Sequence, residues 1–308
     1  MLRAAIFLLA IALSPAAWLA AGEPPAIQVI LLGTGYPRPD PGRAGPSTAV
    51  VVGERVFLVD AGRNVMTRFW QIYPAGGGAG LGPKNLRAVF LTHLHSDHTS
   101  GLPDLFATSW IFGRSEPLAL YGPEGTDQLA DALLQYFAED IRIRRDLTEM
   151  QPAAGATLRA HTVREGVVYE EAGLRVTAFA VDHKPVAPAF GYRFDWLNPE
   201  GKSTYSIVIS GDTRPSENLI KHAKGVDILV HEVYLPEHFD DVDSPEVAAR
   251  LKAYHTSADE VGQVAAAAEV KLLVLTHVIP GDGEKTILDR ASKHFKGKIV
   301  VGKDLMRF

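Results

Sequence analysis

Six consecutive residues, His93-Leu94-His95-Ser96-Asp97-His98, hold three imidazoles and one carboxylate. They follow Ala88-Val89-Phe90-Leu91-Thr92, an apolar run that predicts a strand. On extended backbone the side chains repeat every second residue, so His93 and His95 point the same way. Asp97 and His98 then fall in the turn before Thr99 and Gly101, where a second pair can face the same centre. Imidazole and carboxylate are the donors that zinc and similar divalent cations take. A polar surface turn is the competing reading, and the density of donors argues against it.

The same chemistry recurs where other predicted strands end. Leu174–Val181 leads into Asp182-His183, Tyr205–Ser210 into Gly211-Asp212-Thr213, Val226–Val230 into His231-Glu232, and Leu272–Thr276 into His277. A lone His after a strand is ordinarily structural. Five strand ends that all deliver His, Asp or Glu are a different matter, because ligands in open α/β sheets gather beyond the carboxyl ends of strands. The expectation is one site with donors enough for two metals. Two metals sharing a carboxylate hold a hydroxide between them and clamp both the attacking and the leaving oxygen.

Elements able to position these residues are visible along the chain. Further β-branched runs lie at Ile27–Leu32, Thr48–Val52 and Val56–Val59. Asp127–Phe137 reads as a helix, with Leu129, Leu133 and Phe137 at four-residue spacing. Ser257-Ala258-Asp259-Glu260 is a capping box that opens another. Strands and helices alternate in both halves, about Ile27–Met150 and Gln151–Phe308, which predicts a layered α/β fold. The Gly76–Gly82 stretch lacks the Gly-Lys-Ser/Thr ending of a phosphate loop and reads as a flexible connector. The 308 residues are 46% hydrophobic with net charge −5, which excludes a disordered chain and offers no basic field. Eleven His and no Cys exclude disulfides, thiolate zinc fingers, iron–sulfur clusters and thiol nucleophiles.

After His93–His98 come Asp182-His183, then Pro188-Ala189-Phe190-Gly191-Tyr192-Arg193-Phe194, Ser210-Gly211-Asp212-Thr213, Val230-His231-Glu232, His255-Thr256-Ser257 and Leu275-Thr276-His277. In that order these motifs resemble the metallo-β-lactamase superfamily. Within it they resemble the ribonuclease Z-like branch, which also holds phosphodiesterases and arylsulfatases. The likeness begins with Leu31-Leu32-Gly33-Thr34-Gly35-Tyr36-Pro37-Arg38-Pro39 and Leu58-Val59-Asp60-Ala61-Gly62, and runs to His277. It implies an αββα sandwich, two mixed sheets flanked by helices, with the metal site at one sheet edge. It further implies that His93, His95 and His183 hold one zinc, that Asp97, His98 and His277 hold the other, and that Asp212 bridges them. Thr92 and Asp60 would orient those ligands. Glu232 would orient His255, and His255 would protonate the leaving group, while Asp97 orients or deprotonates the attacking water. A plain helix-start role is the alternative for His255, and His231 is left undecided. His161, His222, His238 and His294 match nothing and default to surface or satisfied positions.

Residues 1–22 carry one charge, Arg3, then the apolar run Ala4–Leu13 and the small residues Ala20-Ala21-Gly22. That pattern predicts a signal peptide over 1–22 and a hydrolase domain over 23–308, with export to the periplasm or beyond. An N-terminal membrane anchor is the alternative, and no stable membrane insertion is expected after cleavage. Two departures set the ribonuclease Z substrate aside at this level. Only Asp195–Ser203 separates the Phe190–Phe194 motif from the next strand, where that enzyme commonly has an arm that grips transfer RNA. His277-Val278-Ile279-Pro280-Gly281 also lacks the Ser and Arg that often follow the His. The expectation is therefore an exported hydrolase with two Zn2+, for which Mn2+ or Fe2+ could substitute. Its partner would be a small-molecule phosphodiester or sulfate ester. A nucleic acid is not expected, and a homodimer is allowed. A lactonase or carboxylic-ester hydrolase is the runner-up, with β-lactam hydrolysis lower. An iron oxygenase is disfavoured because such relatives place Glu where His95 stands, and a non-catalytic metal protein because no ligand is missing. Specificity is expected in the loops Asn64–Leu86 and Tyr234–Tyr254, with Trp70, Trp110 and Phe112 read as core rather than pocket residues.

Overall fold

The computed structural model describes residues 27–72, 81–240, 242 and 244–308. The leader expected over residues 1–22 and most of the Gly76–Gly82 connector lie outside the described residues. One sheet runs in the order β1 (Ile27–Gly33), β2 (Ser47–Val52), β3 (Arg55–Val59), β4 (Leu86–Phe90), β5 (Leu118–Gly122) and β6 (Leu158–Thr162). The second contains β7 (Gly166–Glu171), β8 (Leu174–Ala180), β9 (Phe190–Leu197), β10 (Ser203–Ile209), β11 (Ile228–Tyr234), β12 (Leu272–Ile279) and β13 (Lys298–Val301), again as neighbours in chain order. Both sheets are mixed. The β1–β2–β3 end is antiparallel and β3 to β6 parallel, while β7 to β10 are antiparallel and β10 to β13 parallel.

The helices are α1 (Val65–Ile72), α2 (Ser96–Thr99), α3 (Leu102–Ile111), α4 (Thr126–Tyr136), α5 (Ala138–Ile143), α6 (Glu217–His222), α7 (Pro245–Ala253), α8 (Ala258–Ala268) and α9 (Glu284–His294). Three apolar layers hold the sandwich together. Val65, Phe69, Leu105 and Leu133 from α1, α3 and α4 pack on Ile30, Leu58 and Val89 of the first sheet. Leu219, Val261, Val264 and Ile287 from α6, α8 and α9 pack on Leu229, Leu273 and Leu275 of the second. Between the sheets lies Phe90, its ring 4.9 Å from Tyr121, 5.3 Å from Tyr192 and 5.7 Å from Phe194. A buried aromatic in such a cluster typically contributes about 3–5 kcal/mol, judged by truncation to Ala.

The capping box forms as expected at α8, with Ser257 and Glu260 each bonding the other's backbone N–H. Three expectations need correction. His231 and Glu232 lie within β11 rather than beyond its end, and β12 continues past Thr276 to Ile279. His277 is an unpaired extra residue in that strand: Glu232 pairs with Thr276 and Val233 with Val278. A bulge of this kind re-aims a side chain, and the positive φ of 46° at His277 is its backbone signature. Finally, of the three aromatics assigned to the core only Trp110 is buried. Trp70 and Phe112 are 44% and 55% exposed and meet edge to face at 5.0 Å. No helix among the described residues is long and apolar enough to cross a membrane.

Candidate metal centre

The sheets meet at one edge. There the Phe190 N–H of β9 donates to the Thr92 carbonyl just beyond β4 (2.9 Å), and the Tyr192 hydroxyl donates to Leu91 O (2.8 Å). The segment that follows is organised by Asp60, a buried residue after β3 with φ 61°. Asp and Asn tolerate this left-handed backbone better than most residues. The Asp60 carboxylate accepts from Thr92 N (2.8 Å), Thr92 Oγ1 (2.9 Å) and His98 Nδ1 (2.7 Å). Gly62 lets this loop pass under the donors, since a Cβ there would sit 2.4 Å from Gly45 C and 2.5 Å from Asp97 O.

These bonds fix imidazole tautomers. The Thr92 hydroxyl is committed as a donor to Asp60, so it accepts from His93 Nδ1–H (3.0 Å). The carbonyl of Tyr254 can only accept, so His183 Nδ1 carries a proton (3.0 Å). His98 Nδ1–H donates to the Asp60 carboxylate. In the neutral form of each ring Nε2 is thereby left with a lone pair. Nε2 of His98 and of His183 are buried and have no hydrogen-bond partner among the described residues. Buried ring nitrogens without a partner are what a cation would satisfy, and the donor set suits zinc or a similar divalent ion.

His93, His95, His183 and Asp212 offer ligand atoms that all lie within 4.8 Å of one another, as do Asp97, His98 and His277. Asp212 also groups with His255 and His277. The structure thus brings together all seven residues the sequence nominated as ligands. Asp212 follows Gly211, whose φ is 63° and where a Cβ would lie 2.8 Å from Thr92 Cβ, so only glycine lets β10 turn into the site here.

Charge follows the same geometry. Burial opposes ionisation of Asp212, but His277 and His98, joined by His93, outweigh it and hold the carboxyl well below the usual range. Asp97 is lowered in the same way, with His98 and a hydrogen bond from His277 overcoming burial. His98 is raised well above an ordinary imidazole because Asp212, Asp60 and Asp97 override its burial. Burial instead drives His93 down, and His183 to about 4, so these two are neutral donors.

Beside the ligands, His255 Nδ1 lies 2.9 and 3.0 Å from the two Glu232 oxygens, and Thr213 N–H donates to Glu232 Oε1 (2.9 Å). Burial and Asp212 push Glu232 well above a normal carboxyl, while burial lowers His255. With Glu232 holding the proton between them, or with both ring nitrogens protonated, His255 carries a proton on Nε2. His231 is buried in β11 with Nδ1 turned to Glu232 O, and it joins none of the ligand groups. A cleft of about 390 Å³ opens onto the centre, lined by His95, Asp97, Asp212, His255 and His277 together with Tyr36, Arg38, Phe239 and Tyr254. Phe239 and Tyr254 fall in the loop Tyr234–Tyr254 that the sequence nominated for specificity, whereas Tyr36 and Arg38 stood in the Leu31–Pro39 motif with no role assigned. The Tyr254 carbonyl that orients His183 was missed.

Residues 55–278 match the family described as Beta-lactamase superfamily domain. A curated protein named Ribonuclease Z from Mycobacterium bovis is 37% identical, over 91% of this chain and 97% of its own length. Another of that name from Mycobacterium marinum is 38% identical, over 91% and 98%. Among solved structures, a metallo-β-lactamase fold protein from Bacillus subtilis superposes with TM-score 0.68 at 18% identity, covering 93% of this chain and 99% of that one. The short form of human tRNase Z does so with TM-score 0.63 at 20% identity, covering 91% and 98%. The names of the curated relatives overturn two expectations, a small-molecule ester as substrate and the setting aside of nucleic acid. They likewise replace the arylsulfatase-like reading, while the leader on which export was expected lies outside the described residues.

Proposed function

The chain belongs to the metallo-β-lactamase superfamily, is a metal-dependent hydrolase of that fold, and on this premise we propose that it is a ribonuclease Z-type endonuclease that cuts RNA phosphodiester bonds. The observation that supports this best is the identity of 37–38% with proteins of that name, sustained over 91% of the chain.

In this reading His93, His95 and His183 would hold one divalent cation and Asp97, His98 and His277 a second, with Asp212 within reach of both sets. When bound, such cations supply positive charge to the phosphoryl oxygens as negative charge develops on them. Asp60 holds Thr92 and His98, and the Tyr254 carbonyl holds His183, so the donors need not reorganise during the reaction. Asp97, kept ionised, orients the attacking water. Protonated on both nitrogens, His255 donates its Nε2 proton to the departing O3′ and becomes neutral, while the Glu232 carboxylate holds the ring at Nδ1–H and favours the charged form before the transfer. The expected products are a 3′-hydroxyl upstream and a 5′-phosphate downstream. β9 and β10 are joined by the short turn 198–202, so no arm projects there to hold RNA, and the grip must come from the cleft itself.

Incubating metal-replete protein with an end-labelled transfer RNA precursor that carries a 3′ trailer tests the proposal. A cut with these end groups, abolished by a chelator and restored by zinc, is expected. An intact precursor in the presence of bound metal would overturn it.

A further inference from the structure

Besides its imidazoles, the cleft is lined by one cationic side chain among the described residues, Arg38. Its guanidinium is exposed and has no hydrogen bond or ion pair among those residues. The neighbouring arginines are all engaged. Arg63 donates to three successive carbonyls, those of Tyr36 (2.9 Å), Pro37 (3.4 Å) and Arg38 (2.6 Å). Arg43 donates to Thr34 Oγ1 (2.7 Å), Gly302 O (2.8 Å) and Gly281 O (3.1 Å), and Arg68 pairs with Asp304 at 2.9 Å. Three guanidinium groups therefore build and clamp the loop that displays the fourth.

Position matters as much as freedom. Arg38 and Tyr36 line the metal cleft and also a second hollow of about 270 Å³, which continues along Pro280, Gly281 and Asp282. Arg38 thus stands on the wall between the two hollows, at the exposed rim, whereas Asp97, Asp212 and His277 lie buried at the floor. A phosphate seated on the floor donors cannot also occupy the rim. A polymer leaving the cleft toward the second hollow passes Arg38.

Resting on the RNA reading above, we propose that Arg38 binds the phosphate next to the one that is cut, so that the cleft selects a chain of phosphodiesters over an isolated one. A guanidinium presents its donors in a planar fork that matches two phosphate oxygens, which makes an unpaired, backbone-anchored Arg suited to the task.

The test compares kcat/KM at several salt concentrations for a single-stranded oligoribonucleotide and for bis(p-nitrophenyl) phosphate. The proteins are wild type, Arg38→Ala, Arg38→Lys and, as a charge control from the far end of β10, Lys202→Ala. Arg38→Ala should lower kcat/KM on the oligoribonucleotide about tenfold, chiefly through KM, and flatten its log–log salt dependence by about 0.7. Its loss on the small diester should be several times smaller. Arg38→Lys should regain the salt dependence but only part of the KM, and Lys202→Ala should change neither. Equal losses on both substrates, or an unaltered salt dependence, would assign Arg38 to loop shape and overturn the proposal. A wild-type protein that cuts the small diester but no RNA would instead overturn the RNA reading, and the role of Arg38 with it.

Discussion

The two sheets deliver their candidate metal donors by different means. The first supplies four of the seven from one short stretch, His93 to His98, and depends on a single side chain, Asp60, to hold Thr92 and His98 in place. The second supplies three from separate strands and fixes each through backbone: the Tyr254 carbonyl at His183, the Gly211 turn before Asp212, and the bulge at His277. A geometry held by one side chain is exposed to one substitution. A geometry held by backbone tolerates many side-chain changes but depends on the strand register.

The largest effect should fall where the two means converge. Asp212→Ala removes the donor both ligand groups can reach, so metal content by elemental analysis should drop by more than one ion per chain, whereas His95→Ala should cost one. Retention of full metal in Asp212→Ala would show that the two halves bind independently. Next comes the proton donor proposed at His255, held by Glu232 of the second sheet. His255→Ala should lower kcat on RNA by about 10²–10⁴-fold, with a far smaller loss on diesters carrying an activated aryl leaving group. Equal losses on both would reduce His255 to a structural role.

A direct trial of the contrast sets Asp60→Ala against Tyr254→Ala. The first should weaken metal binding by about 10–100-fold in a competition titration, as loss of a ligand-orienting group does. The second keeps its carbonyl and should weaken metal binding far less. If the two variants bind metal alike, the distinction between side-chain and backbone support fails. The smallest effect is expected for Thr213→Ala: Glu232 is held by the Thr213 backbone N–H, not its hydroxyl, so kcat should stay at the wild-type value.

The same contrast explains what could be read from the sequence. His93 to His98 was legible because its donors are local and flank a single strand, and eight of the strands were legible as apolar or β-branched runs. β5, β6, β7, β9 and β13 were not. β6 and β7 lie at sheet edges with half-exposed polar faces, and β9 mixes Gly191 with a paired Arg193 and Asp195, which masks its pattern. The bulge at His277 depends on the pairing of β11 with β12, which no local spacing encodes. The substrate was misjudged for a related reason. The cleft wall is assembled from Tyr36, Arg38, Phe239 and Tyr254, brought together only by the fold, while overall charge and a missing arm spoke only of what the surface lacks.

The hydrogen bond from Phe190 N–H to the Thr92 carbonyl has a consequence for when the centre becomes complete. It joins the sheets at the very edge where the donors meet, so neither half alone presents a complete centre. During synthesis the N-terminal part of a chain emerges and folds first. The His93–His98 segment then exists without Asp212, without His255, and without His277, which is the last donor to be made. If the proposed ribonuclease reading holds, a growing chain surrounded by RNA is therefore harmless until its second sheet has formed and docked. The arrangement that scatters the donors across the fold would then also delay cutting until folding is finished.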